Sequence, residues 1–152
     1  MPGTTNCRYC GYDIDVDIAL HNTGMPDVCD NCALEQMAKH REQQIIETLA
    51  TKVMGWTTKS ESSNFWLDSD GQLRPKHNWN PLQNIADAWM LMEKLKQRYF
   101  CEVAMTETED GYWHWMARFI EVLEAPYRVN TFKAVEKEAP RAIGMAAYKL
   151  VS

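Results

Sequence analysis

The chain has 152 residues, with a hydrophobic fraction of 45%, a charged fraction of 24% and a formal net charge of −5. These values are typical of a soluble globular protein, with one domain or one domain plus a small appendage, and such a chain can bury a core. The acidic balance argues against a broad basic face for duplex nucleic acid. No apolar run approaches the ~20 residues that span a bilayer, and the first residues lack a signal-peptide pattern, so we expect a cytosolic protein without a membrane partner.

Four of the five cysteines form two C-x₂-C pairs, Cys7 with Cys10 and Cys29 with Cys32. Two intervening residues let both thiolates of a pair reach one ion at about 2.3 Å, and four sulfurs close a tetrahedral shell. In a reducing cytosol this spacing favours one structural Zn²⁺ over the alternatives, which are two disulfides or free thiols. A closed shell leaves no open position for a catalytic water.

Residues 1–33 therefore predict a zinc ribbon, in which a β-hairpin connects the two cysteine pairs and the metal supplies most of the folding energy. His21 would lie in the turn of that hairpin and not in the metal shell. Arg8 is the sole Lys or Arg of residues 1–32. The acidic residues there are Asp13, Asp15, Asp17, Asp27 and Asp30. This balance predicts that the ribbon repels phosphate and serves assembly or a protein contact.

After the ribbon, residues 34–54 predict a connecting helix that ends at Gly55. Asp70 and Gly71 mark a short hairpin. Asn80 is a candidate cap for a helix that runs to about residue 98, and Trp89 is predicted to be buried in the core by the apolar stripe of that helix.

Alternating patterns predict strands over residues 99–106, 112–120 and 127–135, and Pro140 opens a final helix. Short connections between these elements favour an antiparallel sheet with helices packed against it. The predicted fold class is α+β, with residues 55–152 forming a three-layer α/β/α sandwich that has a mainly antiparallel sheet.

Several short segments resemble, in order, a known family. They are Ala50 to Trp56, Trp79-Asn80-Pro81, Asp87-Ala88-Trp89, Trp115, and Ala139 to Ile143. Over about residues 45–150 they resemble the phage ABA-sandwich domain, to which the ribbon is an addition. The resemblance implies a phage protein in the host cytoplasm. It also implies a homo-oligomer that sequesters a nucleotide-derived immune signal, of the cyclic oligonucleotide or cyclic ADP-ribose type, and so counters bacterial defence.

Catalytic motifs are missing from the sequence: it contains no G-x-S-x-G, no phosphate-cradling glycine loop and no H-E-x-x-H, so we do not expect an enzyme. Cys101 lies within a strand pattern and is expected to be a buried structural thiol. A nucleotide requires an aromatic surface and cationic donors. The candidates are Lys76, His77, Trp79, Tyr112, Arg118 and Arg141. Residues such as Lys76 and Arg118 are more often ordinary solvated surface, and a tryptophan such as Trp79 is more often core than a ligand platform.

Two other functions stay open. The acidic ribbon could dock on a host or phage protein, as a protein-interaction module. Alternatively the ribbon could serve a nucleic-acid-binding regulator, although its negative charge opposes that function.

Overall fold

The computed structural model describes residues 3–25, 27–60, 62–124 and 128–152. The chain divides into two compact units, residues 1–43 and 44–152. The boundary between these units falls inside one long helix, Asp30–Thr48. The predicted α+β class, with antiparallel sheets and a cysteine cluster near the N-terminus, is confirmed. Among the described residues, no helix combines the length and the apolarity that crossing a bilayer requires.

In the N-terminal unit, strands β1 (Thr4–Asn6) and β2 (Asp13–Asp15) pair antiparallel. Helix α1 (Val16–Thr23) follows directly, and Oδ1 of Asp15 accepts the N–H of Ile18 at 3.1 Å. The predicted hairpin between the cysteine pairs is therefore wrong, and His21 lies in the last turn of α1. The physical reason is that Asp15 caps a helix, which continues to Gly24 and its positive φ of 71°. The side chain of Asp17 lies outside the described part of the structure.

Helix α2 (Asp30–Thr48) continues into a π-helical turn over Leu49–Val53. The N–H of Met54 donates to the carbonyl of Leu49 at 3.1 Å, which is the five-residue spacing of a π-helix. Gly55, with a φ of 73°, then ends the helix, as the sequence predicts. Leu49 and Ala50 are fully buried in the core of the second unit.

Strands β3 (Phe65–Leu67) and β4 (Leu73–Pro75) form the hairpin that Asp70 and Gly71 predict. The buried carboxylate of Asp68 stabilises its turn by accepting the N–H groups of Asp70 and Gln72, both at 2.9 Å. A 3₁₀ turn over Lys76–Asn78 leads on to Trp79.

Helix α3 (Ile85–Leu95) begins later than predicted, because Asn84 and not Asn80 provides its cap. Oδ1 of Asn84 accepts the N–H of Ala86 at 2.9 Å, whereas Oδ1 of Asn80 accepts only the N–H of Leu82, in a preceding turn. The prediction that Trp89 is buried is also wrong, since Trp89 is 52% exposed. Helix α3 is apolar on most of its circumference, and its buried stripe is instead Ala88, Leu91 and Leu95.

Strands β5 (Phe100–Glu107), β6 (Trp113–Leu123) and β7 (Arg128–Glu136) form an antiparallel meander in the order β5-β6-β7. Their positions agree with the predicted pattern, although the predicted start of the third strand at Tyr127 lies outside the described residues. One face of the sheet buries Ala117, Phe119 and Ala134 in the core. The opposite face does not contribute to that core within the described residues.

Helix α4 (Ala139–Val151) packs on β6 and β7 and, through its other side, on α3 and the π-helical turn. Gly144 is the point of closest approach to the turn before α3. A Cβ built on Gly144 would lie 2.6 Å from Cδ2 of Leu82 and 3.4 Å from the carbonyl oxygen of Pro81. Helix α4 therefore favours glycine at this position, because a side chain there would displace the buried side chain of Leu82.

Candidate metal centre

The first cysteine pair lies in the turn that joins β1 to β2. The N–H of Cys7 donates to the carbonyl of Tyr12 at 2.8 Å, and the N–H of Gly11 donates to the carbonyl of Cys7 at 2.8 Å. Gly11 has a φ of 73°, a conformation that glycine adopts without strain. This tight turn brings the thiols of Cys7 and Cys10 to the same side of the backbone.

The second pair lies at the N-terminus of α2. Cys29 directly precedes the first residue of that helix, and Cys32 is in its first turn. Unpaired N–H groups and the helix dipole stabilise negative charge at such an end, which favours thiolates. The N–H of Cys29 also points at Sγ of Cys7, at 3.4 Å, and so links the two pairs.

The four sulfur atoms all lie within 4.8 Å of one another, and Sγ of Cys10 is 3.8 Å from Sγ of Cys29. A tetrahedral ion with metal–sulfur bonds of about 2.3 Å requires sulfurs ~3.8 Å apart, whereas a disulfide requires about 2.05 Å. None of the five cysteines, all of which are described, forms a disulfide. The cluster therefore has the geometry of a metal site and not that of two cross-links.

The pKa values of the thiols differ within the cluster. The N–H of Cys29 is the main cause that lowers the pKa of Cys7 to about 6. The pKa of Cys32 is raised, first by its hydrogen bond with the Cys29 thiol and then by burial. Near neutral pH the Cys7 thiol therefore ionises more readily than the Cys32 thiol, whose proton a binding metal must displace.

Arg8 connects the two halves of the unit. Its Nε and Nη2 donate to the two carboxylate oxygens of Asp27 at 2.7 and 2.6 Å, and its N–H donates to the carbonyl of Asp27 at 2.9 Å. The guanidinium lowers the pKa of the Asp27 carboxyl below its usual range. This bidentate contact holds the first cysteine turn against the segment that leads to the second pair.

The hydrophobic core of this unit is small. Among the described residues it consists of Cys7, Val28 and Cys32, with Ile14, Cys29 and Ala33 packed around them. Half of these side chains are candidate metal ligands. The unit therefore buries too little apolar surface to be stable alone, and a bound metal would supply the missing stability.

The residues predicted to bind a nucleotide lie in the second unit, and most of the charged ones form ion pairs with glutamate side chains. Nζ of Lys76 contacts Glu47 at 2.9 Å, and only 10% of the Lys76 side chain is exposed. Arg118, in the middle of β6, donates from Nε to Glu102 at 2.9 Å. Arg141 lies 3.8 Å from Glu136 at the start of α4.

The predicted aromatic residues are also distributed over different elements. Trp79 is buried against Trp56, with ring centroids 4.9 Å apart, while His77 is exposed in the preceding 3₁₀ turn. Tyr112 is exposed in the turn between β5 and β6. It lies six residues from Arg118, a separation of roughly 20 Å along a strand. None of these candidates lines the cleft beside the cysteine cluster or the cleft beside Tyr148.

Comparison with known proteins identifies the family of the second unit. A family model described as the phage ABA sandwich domain matches residues 47–148 of the 152-residue chain. The chain belongs to this family. In this chain's phage ABA sandwich domain, the segment Met54-Gly55-Trp56 directly follows the π-helical turn, and Pro140 lies in the first turn of α4. No curated protein and no solved structure matches the chain significantly.

Two features of the molecule were not evident from the sequence. The first is the Arg8–Asp27 contact, which spans nineteen residues and has no local signal. The second is a cluster of Trp56, Trp66 and Trp79, with centroids 4.9 to 5.7 Å apart, in the core of the ABA sandwich. The excess of tryptophan could have indicated such a cluster, but composition does not separate a core from a ligand platform.

Proposed function

We propose that this phage protein is a non-enzymatic binding protein of the host cytoplasm, and that its N-terminal unit docks on a cationic segment of another protein. The metal in this proposal is Zn²⁺, because four thiolates in a tetrahedral set are a donor set that zinc prefers. Its role is structural, since a closed shell has no position for a substrate. The observation that carries the docking proposal is a cleft beside the cysteine cluster.

The cleft has a volume of about 550 Å³ and lies between the first cysteine turn, α1 and the start of α2. Its apolar lining includes Tyr12, Ile14 and Ile18. Three carboxylates, those of Asp13, Asp15 and Asp30, also line the cleft. A cleft lined by both apolar side chains and carboxylates suits a peptide that carries one apolar anchor between basic residues.

Two of the cleft carboxylates, those of Asp13 and Asp30, form no ion pair with any described residue of the unit. Asp13 accepts a hydrogen bond from the amide of Asn6 at 2.8 Å, and Asp30 accepts one from Asn22 at 3.3 Å, so both partners are neutral. Arg8 is already bound to Asp27. Four thiolates on a divalent ion add two further negative charges. Lysine and arginine are attracted to such a site, whereas phosphate is repelled.

The apolar part of the cleft is accessible to a partner. Tyr12 is 74% exposed, and Ile18 is also exposed. Large apolar side chains grouped beside charged ones are typical of interaction surfaces, and a central aromatic or aliphatic anchor usually contributes most of the affinity.

Peptide binding to the full zinc-loaded chain tests the docking proposal. We expect a model peptide of alternating lysine and leucine to bind, with an affinity that falls as salt is added, and the same peptide with glutamate in place of lysine not to bind. Asp13→Lys should weaken binding about tenfold or more, whereas Asp70→Lys, at an exposed site on the β3–β4 turn, should not. Equal binding of the two peptides, or equal effects of the two substitutions, would contradict the proposal.

The second candidate function is sequestration of a nucleotide-derived immune signal of the cyclic oligonucleotide or cyclic ADP-ribose type, which would counter bacterial defence. Membership in the phage ABA sandwich family supports it, together with the exposed aromatic residues Tyr112 and Trp113, which precede His114. Exposed rings of this kind can stack on a base, and sites completed by a second copy would supply further donors.

Thermal unfolding in the presence of cyclic dinucleotides and cyclic ADP-ribose tests this second function. A ligand at one hundred times its Kd stabilises the native state by about 2.7 kcal/mol, which is easily measured. Tyr112→Ala should abolish that stabilisation, while Tyr9→Ala, at an exposed tyrosine of the other unit, should retain it. The absence of any shift at millimolar ligand would refute sequestration of these compounds and leave the docking proposal intact.

A further inference from the structure

The face of the three-stranded sheet that points away from α4 carries apolar side chains in exposed positions. Phe100 is 70% exposed at the start of β5, and Val129 is 58% exposed near the start of β7. Ile120 is the cross-strand neighbour of Phe100, and Val122 is the neighbour of Val129. These four residues form one apolar band across an end of the face.

A second apolar band lies further along the strands, where Ala104, Met116 and Val135 are aligned across the sheet. Among the described residues, neither band packs against the core of the ABA sandwich. When one face of an antiparallel sheet remains in water, the residues on that face are normally polar. Two apolar bands on one open face therefore indicate a surface that another protein covers.

A charged row separates the two bands. Glu102 on β5, Arg118 on β6 and Lys133 on β7 are aligned by the strand register, so the acid is at one edge of the sheet and the lysine is at the other. Arg118 is bound to Glu102. The ammonium group of Lys133 forms no ion pair with any residue of the described ranges.

We propose that a second copy of this chain covers the face, related to the first by a two-fold axis parallel to β6. Such an axis reverses the charged row, so that Glu102 of each copy meets Lys133 of the other. The same axis places each apolar band against its own equivalent. An unrelated partner could cover the apolar bands, but reversal of this row sets an acid against a lysine at both of its ends. The two Arg118 side chains meet near the axis, where each is held by Glu102 of its own chain.

Sedimentation of the full chain over a range of concentrations tests this dimer. We expect Phe100→Asp and Val129→Asp each to raise the dimer Kd at least about tenfold, because each places a carboxylate in the apolar band. Leu73→Asp, at an exposed leucine of β4 outside this face, is the matched control and should leave the Kd unchanged. Circular dichroism of each variant confirms that it is folded.

A charge exchange tests the axis itself. Lys133→Glu alone should weaken the dimer about tenfold, because the introduced carboxylate of one copy then lies opposite Glu102 of the other. Combining it with Glu102→Lys restores opposite charges and should recover most of the affinity. A protein that remains monomeric at about 1 mM, a dimer that tolerates Phe100→Asp, or a double variant as weak as Lys133→Glu would each overturn the proposal.

Discussion

At the scale of single residues, the cysteine thiols determine how the N-terminal unit responds to pH. The hydrogen bond from the N–H of Cys29 lowers the pKa of Cys7 to about 6, whereas hydrogen bonding and burial raise that of Cys32. A thiol whose pKa is depressed in the folded state stabilises that state above its ordinary pKa near 8.5, and this contribution is lost as the pH falls through 6.

This difference predicts how many protons a metal displaces. With a pKa of about 6, Cys7 is almost fully ionised at pH 7.5 but only about a quarter ionised at pH 5.5, so Zn²⁺ binding should release about 0.7 proton fewer at pH 7.5. Calorimetry in buffers of different ionisation enthalpy measures this number directly. Cys101→Ser, which removes the one cysteine outside the cluster, is the control and should leave this difference in proton release unchanged. Equal proton release at the two pH values would contradict the assignment.

At the scale of the elements, helix α4 and the turn before α3 are joined at Gly144. We predict that Gly144→Val destabilises the second unit by roughly 2 kcal/mol or more, because the new side chain overlaps the fully buried Leu82. Thermal unfolding followed by tryptophan fluorescence measures the loss. Gly3→Val is the control, since a Cβ there meets only a methyl group of Val16 at 3.8 Å. A variant as stable as the native protein would show that the turn can move.

Most elements of the fold could be predicted because their signals are local. Gly55 ends a helix, and Asp70 and Gly71 form the turn of a hairpin. The alternation of residues between the two faces of a strand indicates β5 and β6. The buried face of α3 could not be predicted, because eight of its eleven residues are apolar and so more than one face could have been the buried one. Trp89 is exposed for that reason.

The metal site shows the same division between local and distant signals. The C-x₂-C spacing predicted which four cysteines converge, because two residues separate the ligands of each pair. The same spacing carries no information on the eighteen residues between the pairs, where α1 replaces the expected hairpin. The faces that α4 and its neighbours cover depend on contacts between distant residues, so periodicity alone cannot assign them.

At the scale of the whole molecule, the two compact units should respond differently to loss of the metal. All six tryptophans lie between residues 56 and 115, within the second unit, whereas the four clustered cysteines lie in the first. We predict that a chelator reduces the helical signal of the N-terminal unit but leaves the tryptophan emission and its unfolding midpoint unchanged within about 2 °C. A large shift of that midpoint would show that the ABA sandwich depends on the metal.

The most direct test of this account is the metal content of the chain purified under reducing conditions. We predict one zinc ion per chain by elemental analysis and native mass spectrometry, with four thiols protected from alkylation until a chelator is added, and loss of the metal in Cys32→Ala. Protein that contains no stoichiometric metal, or whose four N-terminal cysteines form disulfides, would contradict the metal centre on which the structure of the N-terminal unit depends.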